Sequence, residues 1–248
     1  MATIRRYRVG LLFLGVFIIL GIHVLAAPDQ YFEWSLIYIS NGMISRGVDN
    51  LKKSVVVSPR DLEAQVLLAM AYSAQGNHAK AIPEYRRALQ TAPHESFLWA
   101  LLGNAYLEIG DSGTAKTAFE TVLRRDPQSV TALVGLGKIA LSAGQPAQAE
   151  DHFKKAIQLS PGRSSGYLEL AEVCQQMGKN KDAIAVLKEG IEKAPGNPEI
   201  AYHLGVLLEK SGRHSEALIY YKLALQWDPS HFTAQEAVDR LSGLGMAA

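Results

Sequence analysis

The chain has 248 residues, 48% of them hydrophobic and 20% charged, with a formal net charge of +1. That balance argues against nucleic-acid binding, which asks for a basic stripe. The single cysteine, Cys174, excludes an intramolecular disulfide framework.

Residues 1–27 come first. Val9 to Ala27 hold no charged acid or base other than His23, and Arg5, Arg6 and Arg8 stand just before them. A helix of about 20 apolar residues spans a bilayer core, and basic residues on its N-terminal side keep that end in the cytoplasm. Residues 9–27 are therefore expected to form an uncleaved transmembrane helix, with everything after it on the far side. A cleaved signal peptide competes with this, because Val24, Leu25 and Ala26 offer a cleavage site. The length of the apolar run and Pro28 near the cut speak against cleavage. Either reading takes the rest of the chain out of the cytoplasm.

Beyond this segment the chain repeats itself. Pro59, Pro93, Pro127, Pro161, Pro195 and Pro229 stand 34 residues apart. In five copies the proline is preceded by a glycine (Gly76, Gly110, Gly144, Gly178, Gly212), an alanine (Ala81, Ala115, Ala149, Ala183, Ala217) and a large apolar residue (Tyr85, Phe119, Phe153, Leu187, Tyr221), always at the same offsets. A fixed period of this length means one structural unit copied along the chain. Leu98, Leu101, Leu102, Ala105, Tyr106 and Ile109 recur in steps of three and four, the spacing of one helix face. The glycine ends that helix by entering the left-handed cap cheaply. Capping residues such as Asn77 and Asp111 then start a second helix, which stops at the next proline. Each unit is an αα-hairpin. Its close approach is expected where small residues meet, with Ala69, Gly103, Gly137, Ala171 and Gly205 of the first helices facing the repeated alanine of the second and the repeated aromatic filling the space beside them. Pro83 should shift or kink the first turn of its helix without breaking it.

These residues carry a resemblance. The pattern Trp99, Leu102, Gly103, Tyr106, Gly110, Ala115, Phe119 and Pro127 resembles the tetratricopeptide repeat (TPR). It implies an all-α fold, a right-handed superhelical solenoid of helix-turn-helix repeats, to which the transmembrane helix at 1–27 is added. The expected repeats are 62–95, 96–129, 130–163, 164–197 and 198–231. A degenerate copy is expected at 28–61, with Trp34, Tyr38, Gly42, Leu51 and Pro59 in register and Gly47 in place of the alanine. Residues 232–248 should supply one short capping helix, with Phe232, Val238 and Leu241 apolar, and a Gly-rich tail.

The resemblance further implies a binding surface on the concave side, lined by the first helices, that holds a peptide or helix of a partner. Carried onto this chain it places Val66, Met70, Phe97, Asn104, Leu107, Val134, Lys138, Leu141, Leu168 and Tyr202 in the groove, with Glu209 at its last position. The middle of the groove is apolar, and exposed contiguous apolar area marks an interaction site. An apolar segment or amphipathic helix is the expected ligand. Only Asn104 and Lys138 match in kind the clamp by which some TPRs hold a carboxylate. The same face also allows several of these side chains to pack against the next repeat.

No HxxxH, HExxH or CxxC spacing brings the seven histidines or Cys174 together, so neither metal nor cofactor is expected. Cys174 reads as a buried small hydrophobe. Every recurring glycine is explained by the repeat, leaving none for a phosphate loop. The resulting expectation is a non-catalytic scaffold in a bacterial cytoplasmic membrane, N-terminus inside and repeats on the periplasmic side, that docks proteins during assembly of an envelope complex. The alternatives are a permanent accessory subunit of a large membrane complex, or a soluble exported chaperone-like binder after signal cleavage. No small-molecule substrate is expected.

Overall fold

The computed structural model describes residues 28–246, so the expected transmembrane segment lies outside the described residues. All regular structure among them is helical: α1 (Pro28–Ser40), α2 (Ile44–Val57), α3 (Leu62–Ala74), α4 (His78–Thr91), α5 (Ser96–Glu108), α6 (Ser112–Arg125), α7 (Val130–Ser142), α8 (Pro146–Leu159), α9 (Ser164–Gln176), α10 (Asn180–Lys193), α11 (Pro198–Lys210), α12 (His214–Trp227) and α13 (Phe232–Met246). No described helix is long and apolar enough to cross a membrane. The chain divides into two compact units, one ending at Thr91 and the other beginning at Ala92.

The caps show why the repeat breaks where it does. Gly110 has φ of 82° and follows α5. Its N–H reaches Leu107 O at 3.0 Å, and Asp111 N–H reaches Tyr106 O at 2.9 Å, which together make a Schellman cap. A side chain at Gly110 would strain that left-handed backbone. Asp111 then turns round and caps the next helix, its Oδ1 accepting from Thr114 N–H at 3.0 Å. Hydrogen bonding from the Thr114 side chain, and next from its N–H, holds the Asp111 carboxyl below its ordinary value. Asp111 thus takes part in the caps of both helices.

In the first unit α1 and α2 form one hairpin and α3 and α4 another. Their shared core is Val48, Leu51, Val55, Ala64, Leu68 and Ala71. Gly47 stands where other copies have alanine, and a Cβ there would lie 2.5 Å from Ile39 Cγ1. The large Ile39 of α1 takes up that space. Pro83 sits inside α4, which nevertheless runs unbroken from His78.

In the second unit each hairpin packs on the next, α6 on α7, α8 on α9, α10 on α11 and α12 on α13. Inside a hairpin the repeated aromatic, expected beside the small residues, is what lies closest to them. What lies against Gly103 is the ring of Phe119, where a Cβ would come to 2.9 Å. Gly137 meets Phe153 and Gly205 meets Tyr221 in the same way, at 2.6 and 2.7 Å. All three aromatic side chains are at most 1% exposed, and full burial of such a side chain stabilises by about 1.5–3 kcal/mol. The glycine is there to admit a ring, because a methyl group would collide with it. Phe119 also touches the following hairpin, since a Cβ at Gly135 of α7 would lie 2.4 Å from its ring. One ring is therefore wedged between α5 and α7.

The capping helix differs from expectation. It runs through Gly243 to Met246 where a short helix and a Gly-rich tail were expected. Ala234, Ala237 and Leu241 are buried and Val238 packs beside them, whereas Phe232 is 71% exposed and takes no part. Burying small residues lets α13 lie close on α12. It is locked by charge as well: Arg240 Nη2 donates to both oxygens of Glu209 in α11 at 2.8 Å. The Tyr221 hydroxyl donates to the same carboxylate at 2.7 Å.

Candidate functional site

The first helices of the second unit, α5, α7, α9 and α11, touch one another in series as well as their own hairpin partners. Their packed sides carry Leu98, Leu102, Leu136, Leu170 and Leu204, all buried. The expected groove residues fall on the remaining sides, but they are not equally open. Phe97 is 49% exposed, and Asn104, two turns further along α5, is exposed too. Leu107, Val134, Leu141 and Leu168 are half-buried, each packed edge-on against the core. The apolar floor is therefore the outer margin of the core rather than a separate exposed layer. In the first unit, Met70 is 46% exposed and Val66 is half-buried.

Two of the expected groove residues are already engaged. Lys138 Nζ lies 2.8 Å from Glu169 Oε1, an ion pair that crosses from α7 to α9. Both ends reach solvent, so the pair is worth little for stability, yet it cancels the cation that a bound carboxylate would need. Tyr202 is surrounded by rings: His231 at 5.0 Å, His203 at 5.6 Å and Tyr221 at 5.7 Å between centroids. It serves the junction of α11 with the start of α13, where His231 Nδ1 accepts from Ala234 N–H at 3.3 Å and caps α13.

Glu209, the last groove position, belongs to the locked capping helix. Burial alone would push its carboxyl up, but hydrogen bonds from Tyr221 and Arg240 outweigh that and hold it below its ordinary value. Burial, with the hydrogen bond to Glu209 next, pushes the Tyr221 phenol up. Cys174 is packed in the core, and burial pushes its thiol up, which leaves it an inert small side chain. Among the described residues no three His, Cys, Asp or Glu side chains are placed to hold a metal ion. This face offers apolar contact at Phe97 and the leucine margin, and hydrogen bonding at Asn104.

Sequence reasoning missed the role of Gln65 in α3. It is 2% exposed, and its Nε2 donates to Pro59 O. Trp99, the residue one repeat later, donates from Nε1 to Pro93 O at 3.0 Å. The shared register at positions 65 and 99 was the available signal.

Comparison with known proteins agrees with this architecture. Models described as tetratricopeptide repeat match residues 62–105, 101–164, 140–201 and 175–241. No curated protein matches. Among solved structures, a chain of the APC/C hetero-tetramer Cut9–Hcn1 is similar with a TM-score of 0.68 at 17% identity, over 86% of this chain and 42% of that one. This chain thus spans less than half of that relative's length. PilF of Pseudomonas aeruginosa is similar with a TM-score of 0.63 at 20% identity, over 84% and 95% of the two chains. TTC0263, a thermophilic TPR protein of Thermus thermophilus, gives 0.59 at 24% identity, over 73% and 98%. Such identities speak for the fold alone. From the helix–glycine–helix–proline period, the stacked hairpins and matches that together run from residue 62 to 241, the chain belongs to the tetratricopeptide repeat proteins.

Proposed function

We propose that this protein is a membrane-anchored, non-catalytic scaffold that docks partner proteins on the outward side of its first helices. TPR proteins bind peptides or proteins, and the single observation that carries the reading here is the face of α5. On it the half-exposed ring of Phe97 stands with the exposed amide of Asn104, backed by the leucine margin of Leu107, Leu141 and Leu168. A ring held half in water is a ready apolar anchor, and an apolar segment or amphipathic helix is the partner chemistry that suits it. The Cut9–Hcn1 hetero-tetramer contains a chain of similar fold within an assembly. The anchor is residues 9–27, preceded by Arg5, Arg6 and Arg8. The charge pattern supports a cytoplasmic N-terminus with the repeats on the periplasmic side of a bacterial membrane, positioned to assist assembly of an envelope complex. Alkaline extraction of membranes with intact-mass analysis tests the anchor. A chain retained in the pellet and still carrying residues 1–27 is expected; a mature chain beginning near Ala27 or Pro28 in the wash would overturn it. Co-purification from detergent-solubilised membranes tests the docking, with loss of the partner expected on Phe97→Asp.

A further inference from the structure

Three aromatic residues stand on one line of α1. Tyr31, Trp34 and Tyr38 are spaced three and four apart, which puts them on one side of the helix. Phe32 and Ile39 pack instead on the core of the first unit, and Ser35 between them is buried. The ring of Tyr31 meets that of Trp34 edge-on at 6.3 Å, and Trp34 is 38% exposed. Glu33 falls away from this line by register.

The other helix of the hairpin borders the line with cations. Lys53 Nζ lies 5.5 Å from the centre of the Tyr31 ring, and Arg46 Cζ lies 6.0 Å from that of Tyr38. The two contacts set late α2 beside early α1. Val56 and Val57, which follow Lys53, therefore lie at the end of the hairpin where α1 begins, and they are 78% and 49% exposed. Rings, valines and a lysine are gathered in water at the Pro28 end.

Position in the chain decides what this end meets. Residues 9–27 carry no Asp, Glu, Lys or Arg and stop directly before Pro28. Tyr31 is about 4.5 Å and Trp34 about 9 Å along the helix from Pro28, while the headgroup layer beyond the hydrocarbon is about 5–8 Å deep. Tyr31 falls within that layer and Trp34 at its outer edge, nearer when α1 leans along the surface. Tyr and Trp favour this layer, because an apolar ring there keeps its polar N–H or O–H wet. A lysine stem lies along apolar matter while its ammonium reaches a phosphate.

We propose that the Pro28 end of the α1–α2 hairpin rests in the headgroup layer of a lipid bilayer, with Tyr31, Trp34, Val56 and Val57 inserted and Lys53 on a lipid phosphate. The inference rests on the anchor proposed at residues 9–27 and adds a surface contact to it. The first unit is then held against the membrane and does not swing on a free tether.

Tryptophan emission tests this in the full chain, reconstituted in vesicles of phosphatidylethanolamine and phosphatidylglycerol. The chain has three tryptophans, Trp34, Trp99 and Trp227, so comparison with Trp34→Phe isolates the first. A lipid spin-labelled on its headgroup should quench the native chain at least twofold more than Trp34→Phe. Val56→Asp combined with Val57→Asp should lower the quenching at least twofold with helicity unchanged by circular dichroism, since both side chains are exposed in the folded chain. An alkaline wash of the same vesicles separates the two readings. Release of the chain by the wash would overturn the anchor and the proposal with it. A chain that survives the wash but is quenched no more than Trp34→Phe, or no less in the double valine variant, would overturn the proposal alone and give the aromatic line to a protein partner.

Discussion

Replacing Gly135 with alanine isolates the ring wedge on which the stacking of hairpins rests. In the middle of α7 a glycine-to-alanine change should by itself stabilise the helix by about 1 kcal/mol, because alanine loses less backbone entropy. The new Cβ, however, would lie 2.4 Å from the Phe119 ring, well inside the 3.4 Å edge of ordinary contact. Phe119 is fully buried and cannot swing away, since Gly103 on its other side already leaves only the room of a missing methyl. Overpacking of this kind costs about 1–3 kcal/mol, which leaves a net loss of up to about 2 kcal/mol. For a chain of this size each kcal/mol moves Tm by roughly 2–4 °C, so the melting curve followed by helical circular dichroism should fall by a few degrees. Gly113→Ala is the control. That glycine is exposed near the start of α6, with its nearest other atom, Asp111 Oδ1, 3.8 Å from where a Cβ would lie. The control should leave Tm unchanged or raise it. Phe119→Leu should remove most of the Gly135→Ala penalty, because the two changes act on one contact. If Gly135→Ala raises Tm as the control does, the wedge has no energetic part in stacking and the reasoning fails.

Three further predictions follow from the same contacts. Glu209 is held below its ordinary value when folded, so its contribution is present above the unfolded carboxyl range near pH 4 and is lost as pH falls through the depressed value. Thermal melts between pH 7 and pH 3 should therefore show a steeper acid loss in the native chain than in Glu209→Gln. Asp111→Ala removes the N-cap of α6 and should lower stability by about 1 kcal/mol in urea melts, with Asp111→Asn largely restoring it. Leu141→Asp should cost about 1–3 kcal/mol, because the half-buried leucine is packed against the core and a carboxylate cannot be desolvated there without a partner; a cost within about 0.5 kcal/mol would show the leucine to be open surface.

The helix borders were legible because caps are short-range chemistry. Gly110, Asp111 and Pro127 act within four residues of themselves, and a 34-residue period repeats the signal until it cannot be missed. What the period hides is how neighbouring copies meet. That Phe119 enters between Gly103 and Gly135 needs the spatial order of α5, α6 and α7, because the glycines are separated along the chain and one of them lies outside the motif. The lock of Arg240 on Glu209 joins residues 31 apart with no local pattern to announce it. The proposed docking face was legible only as a side of the helix. Which leucines on that side are open, and that Lys138 is neutralised by Glu169, depends on the packing of adjacent first helices.

The central claim, that partners dock on the outward side of the first helices, is tested most directly by site-specific photo-crosslinking in the intact chain. A photoreactive residue at position 97 or 104 of α5 should yield one discrete crosslinked partner, while the same residue at the exposed positions 116 or 117 of α6 should yield none. Crosslinks from α6 with none from α5 would contradict the account and move the interface to the second helices.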